Sequence, residues 1–195
     1  MTTDCNKLDT VFRDFLTLKK LRRTGWQLRG IREGESIADH CFGVVLLTHL
    51  LIPEISNPQI NREKAVAMAI IHELGETRIG DIPYTTLKYF PDKSKMEYDA
   101  ITDVLEPLSA NTKEETLKLF VEFEEGKTTE ARFVKAIDKL EMLVTAAEYE
   151  KAGFSGLTDF WENPFTFKVF EEFQPLAQYA KYLLSKRRQR VNGEL

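Results

Sequence analysis

Apolar residues recur at three- and four-residue intervals along nearly the whole chain, which is the spacing of helices with one buried face. Capping residues, glycines and prolines delimit the helices that this pattern predicts. The predicted helices cover residues 6–21, 37–51, 62–74, 93–108, 112–125, 129–152 and 165–186, with a short amphipathic segment at 84–90. No run alternates as a strand would, so the chain is predicted to be all-α.

Local signals set several boundaries of these helices. Ser36 and Asp39 form a capping-box pattern, Asn61 is placed as an N-cap, and Gly126 ends a helix. Residues 22–35 contain three glycines and are predicted to form an ordered loop. The unequal helix lengths favour an irregular multi-helix bundle over a regular four-helix bundle. Residues 1–195 are predicted to form one domain, with a motif-bearing core at about 22–150 and a C-terminal helical extension at about 157–190.

The amino-acid composition argues against nucleic-acid and membrane partners. The 195 residues are 43% hydrophobic and 30% charged with a net charge of −4, so nothing indicates a nucleic-acid surface. The basic run at 186–190 is interpreted as a helix end whose cations complement the helix dipole. No apolar run near 18 residues is expected, which argues against a membrane partner. Cys5 and Cys41 form no CxxC motif and are interpreted as thiols in a reducing compartment, so the protein is expected to be cytoplasmic.

Three predicted helices each carry a polar residue on the face that should be buried. These residues are His40, His72 and Asp138. Each one alone is more often a hydrogen-bonded core residue than a ligand. Together with the adjacent Glu73 they form a set of two imidazoles and two carboxylates, which suits a divalent Mn, Fe, Co, Ni or Zn ion.

The segment 67–83 concentrates this chemistry. His72 lies one helical repeat after Ala65 and is followed by three carboxylates, Glu73, Glu76 and Asp81, which are costly to bury without a cation. Adjacent helical residues point about 100° apart, so His72 and Glu73 share a metal only near a helix end, where Gly75 is predicted to stop the helix. The stretch also approaches the HExxH motif of zinc proteases, but Glu76 stands where the second histidine is required.

The order of several motifs resembles a known family. The motifs are RTGW (23–26), ESIADH (35–40), HELGETRIGDIP (72–83), KMEYDA (95–100) and AIDKLEMLVTAAEYE (136–150). They are similar to the HD-domain metal-dependent phosphohydrolases, and in particular to the 5′-deoxynucleotidase branch that contains bacterial YfbR. The resemblance implies an all-α, commonly dimeric enzyme that removes the 5′-phosphate of deoxynucleoside monophosphates, with a small-molecule nucleotide as its partner.

The resemblance also implies roles for eight residues. They are the metal ligands His40, His72, Glu73 and Asp138, the catalytic acids Glu76 and Asp81, the phosphate-binding Arg23 and the sugar-packing Trp26. The family usually has Asp where this chain has Glu73, so the ligand strength at that position is open. The sequence does not assign the acid and the water-orienting roles between Glu76 and Asp81.

Two other functions remain open at this stage. One is an HD phosphohydrolase for another phosphate ester, such as a nucleoside triphosphate or a cyclic nucleotide. The other is a nucleotide- or metal-binding protein that has lost turnover through Glu73. The presence of Arg23, Glu76 and Asp81, which have no evident folding duty, favours an active enzyme.

A homodimer is expected from the resemblance and from the aromatic residues of the C-terminal third. These aromatic residues are Phe154, Phe160, Trp161, Phe165, Phe167, Phe170 and Phe173. They are predicted to offer more apolar surface than one small domain easily buries. The sequence does not locate the interface.

Overall fold

The computed structural model describes residues 4–56 and 58–193 of the chain. Within those residues the fold is all-α, as predicted, with no β-strand and with two short 3₁₀ segments at Ile52–Glu54 and Tyr84–Tyr89. The helices are α1 (Cys5–Lys20), α2 (Thr24–Gln27), α3 (Ile37–Leu51), α4 (Arg62–Ile71), α5 (Glu76–Ile79), α6 (Lys93–Val104), α7 (Ala110–Glu125), α8 (Thr129–Lys151), α9 (Thr158–Glu162), α10 (Pro164–Lys168) and α11 (Gln174–Val191).

The long helix α8 forms the centre of the fold. It packs against α3, α4, α7 and α11. Its alanines at 131, 136 and 146 are fully buried, and such small side chains allow neighbouring helices to approach closely. One hydrophobic cluster includes residues from Trp26 to Ala180, so the C-terminal helices share the core of the motif-bearing part.

The predicted caps are present. The Ser36 hydroxyl accepts the Asp39 backbone N–H while the Asp39 carboxylate accepts the Ser36 N–H, which completes a capping box at the start of α3. Asn61 caps α4 through the Lys64 N–H. Gly126 ends α7 with a φ of +63°, a left-handed conformation that glycine adopts without a steric penalty.

The loop at 22–35 is ordered by backbone hydrogen bonds between its two ends. Arg22 and Ser36 form an isolated antiparallel bridge, and the Arg23 N–H donates to the Glu35 carbonyl over 3.1 Å. The short helix α2 and the buried Ile31 fill the space between these ends. The closed loop therefore holds Arg23 and Trp26 at fixed positions next to α3.

Several predicted boundaries were wrong. The single helix expected over 165–186 is two helices, α10 and α11, because Phe170 and Phe173 turn into the core between them and Pro175 starts a new first turn. Helix α9 was not predicted. Helix α4 ends at Ile71, before Gly75, and α6 ends at Val104.

Of the seven aromatic residues near the C-terminus, three are buried, two are half-buried and two are exposed, contrary to the expectation that they form a large apolar surface. Trp161, Phe170 and Phe173 are at most 3% exposed, whereas Phe154 and Phe165 remain exposed. The buried rings belong to the same hydrophobic cluster as the buried side chains of α8. Their number therefore does not indicate an interface.

Helix α3 is more apolar than the sequence analysis recognised. The 18 residues Ile37–Glu54 have a mean hydropathy of 1.3, which meets the length and composition of a membrane span, contrary to the expectation that no such run exists. The inner face of α3 packs against α4 and α8 and contains the buried His40, while 22% of the window Ile37–Glu54 is buried. Its outer face carries Phe42, Leu46 and Leu50, which are all exposed.

Candidate metal centre

Three helices bring one polar side chain each to a common point inside the bundle. His40 comes from α3, His72 immediately follows α4, and Asp138 comes from α8. His40 Nε2 lies 3.3 Å from Asp138 Oδ1, although the pair lacks hydrogen-bond geometry. The two imidazole rings are 5.5 Å apart between centroids. The structure thus brings together the three inward residues that were identified from helical periodicity.

Glu73 completes this group because α4 ends just before it. Its Oε1 lies 3.8 Å from His40 Nε2 and 3.9 Å from His72 Nε2. His72 is the C-cap of α4 and Glu73 lies in the following turn. The two side chains are therefore not bound to the angle of about 100° that separates adjacent residues inside a regular helix. Gly75 has a different role from the predicted helix stop: its Cα faces α6, where a Cβ would lie 3.1 Å from the Glu97 carbonyl oxygen.

Hydrogen bonds fix both imidazoles with Nε2 directed towards the centre. His40 Nδ1 is 2.6 Å from Glu141 Oε2, and His72 Nδ1 is 2.8 Å from the Ala69 carbonyl oxygen. A carbonyl oxygen accepts only from a protonated nitrogen, so His72 carries its proton on Nδ1 and presents Nε2 as a lone pair. Such outer hydrogen bonds are typical of histidines that bind metals.

The electrostatics of the four residues are dominated by burial and by one another. Burial lowers the pKa of His72. Burial also opposes protonation of His40, but the carboxylates of Asp138 and Glu141 prevail and raise its pKa to about 9. Asp138 is half-buried, and although desolvation opposes its ionisation, Lys139 and His40 hold its pKa well below the usual range. The centre therefore combines buried carboxylate charge with imidazole nitrogens.

The unpartnered atoms of this centre fit a divalent cation. His40 Nε2, His72 Nε2 and Asp138 Oδ1 are all buried and have no hydrogen-bond partner. Leaving such atoms without a partner costs about 1–3 kcal/mol each. His40, His72 and Glu73 also offer ligand atoms within 4.8 Å of one another. Two imidazole nitrogens and two carboxylate oxygens suit the borderline divalent metals.

The two remaining acidic residues differ in their surroundings. Asp81 accepts the Thr24 backbone N–H at 2.5 Å and lies 3.2 Å from Arg23 Nη1, so both of its oxygens are held. Glu76 is 4% exposed, and its Oε2 has no partner. Burial, followed by the charge of Glu73, raises the pKa of Glu76 to about 10.

A cavity of about 470 Å³ opens next to the centre. Arg23 lies in its wall and donates from Nη1 to Glu73 Oε1 at 2.8 Å. Trp26 lies in the same wall but is only 2% exposed, because its indole stacks on Phe160 at 4.5 Å and donates to Glu35 Oε1 at 2.8 Å. The eight residues singled out from the sequence thus surround one metal-sized centre and its adjoining cavity.

Sequence analysis missed several residues of this region. Lys93, Lys135 and Lys139 supply positive charge to the cavity wall, and Lys139 Nζ lies 3.1 Å from Asp138 Oδ2. Glu141 lies within the motif at 136–150, but no role was predicted for it. Its position three residues after Asp138 on the inner face of α8 was the available signal, because residues at that spacing share one side of a helix.

Comparison with known proteins identifies the family and several relatives of this chain. An HD-domain family profile matches residues 16–175. The protein named 5′-deoxynucleotidase hdd1 from Schizosaccharomyces pombe is 41% identical over 147 residues, which cover 73% of this chain and 71% of that protein. Human 5′-deoxynucleotidase HDDC2 is 30% identical over 68% of this chain and 63% of its own length, so the chain spans less than two thirds of that relative. A solved structure of a conserved hypothetical protein from Pyrococcus furiosus superposes with a TM-score of 0.75 at 34% identity, covering 92% of this chain and 98% of that one.

Proposed function

The chain belongs to the HD-domain family, and we propose that it is a metal-dependent 5′-deoxynucleotidase that converts deoxynucleoside 5′-monophosphates into deoxynucleosides and phosphate. The names of the curated relatives support this substrate class. The observation that carries the proposal is the set of buried, unpartnered atoms of His40, His72 and Asp138, which lies beside a cavity containing an arginine. A bound cation and a fixed guanidinium both stabilise the charge of phosphoryl oxygens, so a site of this kind suits phosphate-ester hydrolysis.

The proposed metal ligands are His40, His72, Glu73 and Asp138. The ion is proposed to be a first-row divalent metal, Mn, Fe, Co, Ni or Zn. When bound, such an ion supplies positive charge for phosphoryl oxygens and lowers the pKa of water. The ligands contribute by presenting preoriented donor atoms on rigid helices of the core.

Arg23 is proposed to bind the 5′-phosphate. Its guanidinium lies in the cavity wall next to Glu73, and the surrounding carboxylates raise its pKa above the usual range, so it stays cationic. Its Nη1 is already held by Glu73 and Asp81, which fixes the plane of the group. A planar, fixed guanidinium suits the oxygens of a phosphate.

Glu76 and Asp81 are proposed to have separate roles. Glu76, whose pKa is raised to about 10, holds a proton at neutral pH and is suited to protonate the departing 5′-oxygen. Asp81 is held by Thr24 and Arg23 and is suited to position the phosphate-binding loop. This division follows from the partners of each carboxyl group.

Phosphate release from dAMP in the presence of Co²⁺ or Mn²⁺ tests the function. We expect turnover with dAMP, little with AMP or with a 3′-phosphate, and loss of turnover in Asp138→Asn. The exposed Asp103→Asn is the matched control, because it removes the same charge from the surface of α6. Turnover of a nucleoside triphosphate or a cyclic nucleotide in place of dAMP would establish the alternative phosphohydrolase, and metal binding without any turnover would establish a binding protein.

A homodimer is also proposed, with its interface on the apolar stripes of α1 and α3. These two helices pack against each other, and each exposes large apolar side chains. The exposed side chains are Leu8, Phe12, Phe15 and Leu16 in α1 and Phe42, Leu46 and Leu50 in α3. Apolar stripes of this kind on a water-soluble surface typically mark an interaction site. A second copy of the chain is the partner that the family resemblance suggests.

Light scattering tests the dimer and its location. The wild-type protein is expected at twice the chain mass of 22.5 kDa at micromolar concentration. Phe42→Asp should give a folded monomer, while Phe165→Asp should leave the dimer intact, because these phenylalanines are 68% and 66% exposed on different helices. A 22.5 kDa wild-type species would refute the dimer, and dissociation by Phe165→Asp alone would move the interface to α10.

A further inference from the structure

We infer that Glu141 is a positioning residue for the metal ligand His40, and that Gly43 provides the space in which it acts. The inference rests on the metal centre proposed above. Nothing in the comparisons assigns a role to Glu141 or Gly43. The role follows from the contacts of the two side chains within the interface between α3 and α8.

Glu141 is held in a single orientation against His40. Its residue is 8% exposed, and its Oε2 lies 2.6 Å from His40 Nδ1. Its other oxygen, Oε1, accepts the Thr145 hydroxyl at 3.1 Å. Because both oxygens are held, the carboxylate can fix the plane of the imidazole and keep the proton on Nδ1. The opposite nitrogen, Nε2, is the buried and unpartnered atom that faces the centre.

Gly43 allows this contact between the two helices. It lies three residues after His40, on the neighbouring part of the same helical face. A Cβ at this position would lie 3.0 Å from Glu141 Cγ and 3.0 Å from its Oε1. Any side chain at position 43 therefore displaces the carboxylate, even though it leaves every proposed ligand in place.

The atoms around His40 Nδ1 lie too close together to be ligands of a second metal ion. Glu35, His40 and Glu141 have potential ligand atoms within 4.8 Å of one another. Two atoms that bind one ion at about 2.0–2.2 Å lie about 3 Å or more apart in tetrahedral geometry. The 2.6 Å between His40 Nδ1 and Glu141 Oε2 is a hydrogen-bond distance. Glu35 has a separate partner, since it accepts the Trp26 indole N–H.

Metal affinity gives the first test. Calorimetric titration with Co²⁺ is expected to show one ion per wild-type chain. Outer-shell partners of metal-binding histidines typically change metal affinity 10- to 100-fold. We expect a loss of about that size in Glu141→Ala, a smaller loss in Glu141→Gln, whose amide oxygen still accepts from Nδ1–H, and a loss in Gly43→Ala. The exposed Glu148→Gln on the same helix is the matched control and should retain wild-type affinity.

A spectroscopic measurement separates positioning from a general effect on folding. In the Co²⁺-loaded protein, the ring N–H protons of His40 and His72 are expected as two hyperfine-shifted NMR signals. The His72 proton donates to the Ala69 carbonyl and serves as an internal reference. Glu141→Gln and Gly43→Ala should accelerate solvent exchange or shift the His40 signal, and should leave the His72 signal unchanged.

The outcomes distinguish this inference from the metal centre itself. His40→Ala should abolish Co²⁺ binding. If it does, and folded Glu141→Ala and Gly43→Ala bind Co²⁺ as tightly as wild type, the positioning role of Glu141 is overturned while the centre stands. If the wild type binds two ions and Glu141→Ala loses one, Glu141 is a ligand of a second site. If His40→Ala binds as tightly as wild type, the proposed centre is wrong and the inference is overturned with it.

Discussion

Replacement of Trp26 tests whether the cavity wall selects the sugar. The proposed role places the indole against the deoxyribose, where a ribose 2′-hydroxyl finds neither space nor a partner. Leaving one polar group without a partner costs about 1–3 kcal/mol. That range corresponds to roughly a ten- to hundredfold preference for dAMP over AMP in kcat/KM. Trp26→Ala is therefore expected to raise the AMP-to-dAMP ratio by up to that factor.

The same substitution also affects stability, because Trp26 is part of the core. Its indole is 2% exposed, stacks on Phe160 and meets Tyr149 edge-on at 5.2 Å between ring centroids. Truncation of a buried Trp typically costs about 3–5 kcal/mol. The Nε1–H bond to Glu35 is lost as well, which removes the indole donor from a half-buried carboxylate. Trp26→Phe keeps an aromatic ring and should lose less stability than Trp26→Ala.

The selectivity ratio isolates the effect on the sugar from the effect on folding. Both substrates meet the same folded molecules, so a smaller folded fraction lowers both rates and cancels in the ratio. Trp161→Ala is the matched control, because Trp161 is also buried, at 3% exposure, but lies outside the cavity wall. It should lose stability without a change in the ratio. Equal wild-type cleavage of AMP and dAMP, an unchanged ratio in Trp26→Ala, or an equal shift in Trp161→Ala would refute the sugar-selecting role.

Two further predictions concern phosphate binding and the metal. Arg23→Ala should lower kcat/KM for dAMP and AMP by the same factor, on the order of 10²–10³, as for other fixed donors to a transition state. Steady-state kinetics measured in parallel on the two nucleotides check this prediction. A change in the dAMP-to-AMP ratio of kcat/KM would contradict a role limited to the phosphate. Co²⁺ or Mn²⁺ at about 100 times its dissociation constant should stabilise the wild-type fold by about 2.7 kcal/mol, which calorimetry should detect as a rise in Tm of roughly 5–11 °C. His72→Ala should show no such rise, and an equal rise in that variant would remove His72 from the ligand set.

The inward polar residues could be predicted from sequence because they interrupt a regular pattern. His40 and Asp138 lie in long helices whose apolar spacing defines the buried face, and the structure places both on that face. The position of Glu73 was harder to predict, since it depends on α4 ending at Ile71 rather than at Gly75. Gly75 is small because α6 approaches it closely, and a single sequence does not distinguish that need from a helix stop.

Contacts between residues that are far apart in the sequence could not be predicted from the pattern of apolar positions. Glu141 and His40 are 101 residues apart, so their hydrogen bond becomes visible only when α3 and α8 are packed together. The break between α10 and α11 coincides with Phe170 and Phe173, which lie between the two helices and are buried in the core. Helix α3 is apolar on its inner and outer faces, and periodicity alone identifies only the inner one.

The carboxylate of Glu73 connects Arg23, the proposed phosphate-binding residue, to the proposed metal centre. Its Oε1 lies 2.8 Å from Arg23 Nη1 and at the same time within 3.9 Å of the Nε2 atoms of both histidines. His40 lies in α3 and His72 caps α4, whereas Arg23 lies in the 22–35 loop, so the Glu73 side chain connects core helices to a loop. An aspartate at this position would be one methylene shorter and would reach less far from the same backbone position. The length of Glu73 therefore allows a single carboxylate to contact the guanidinium while it lies near both histidines, which supports its place in the proposed ligand set.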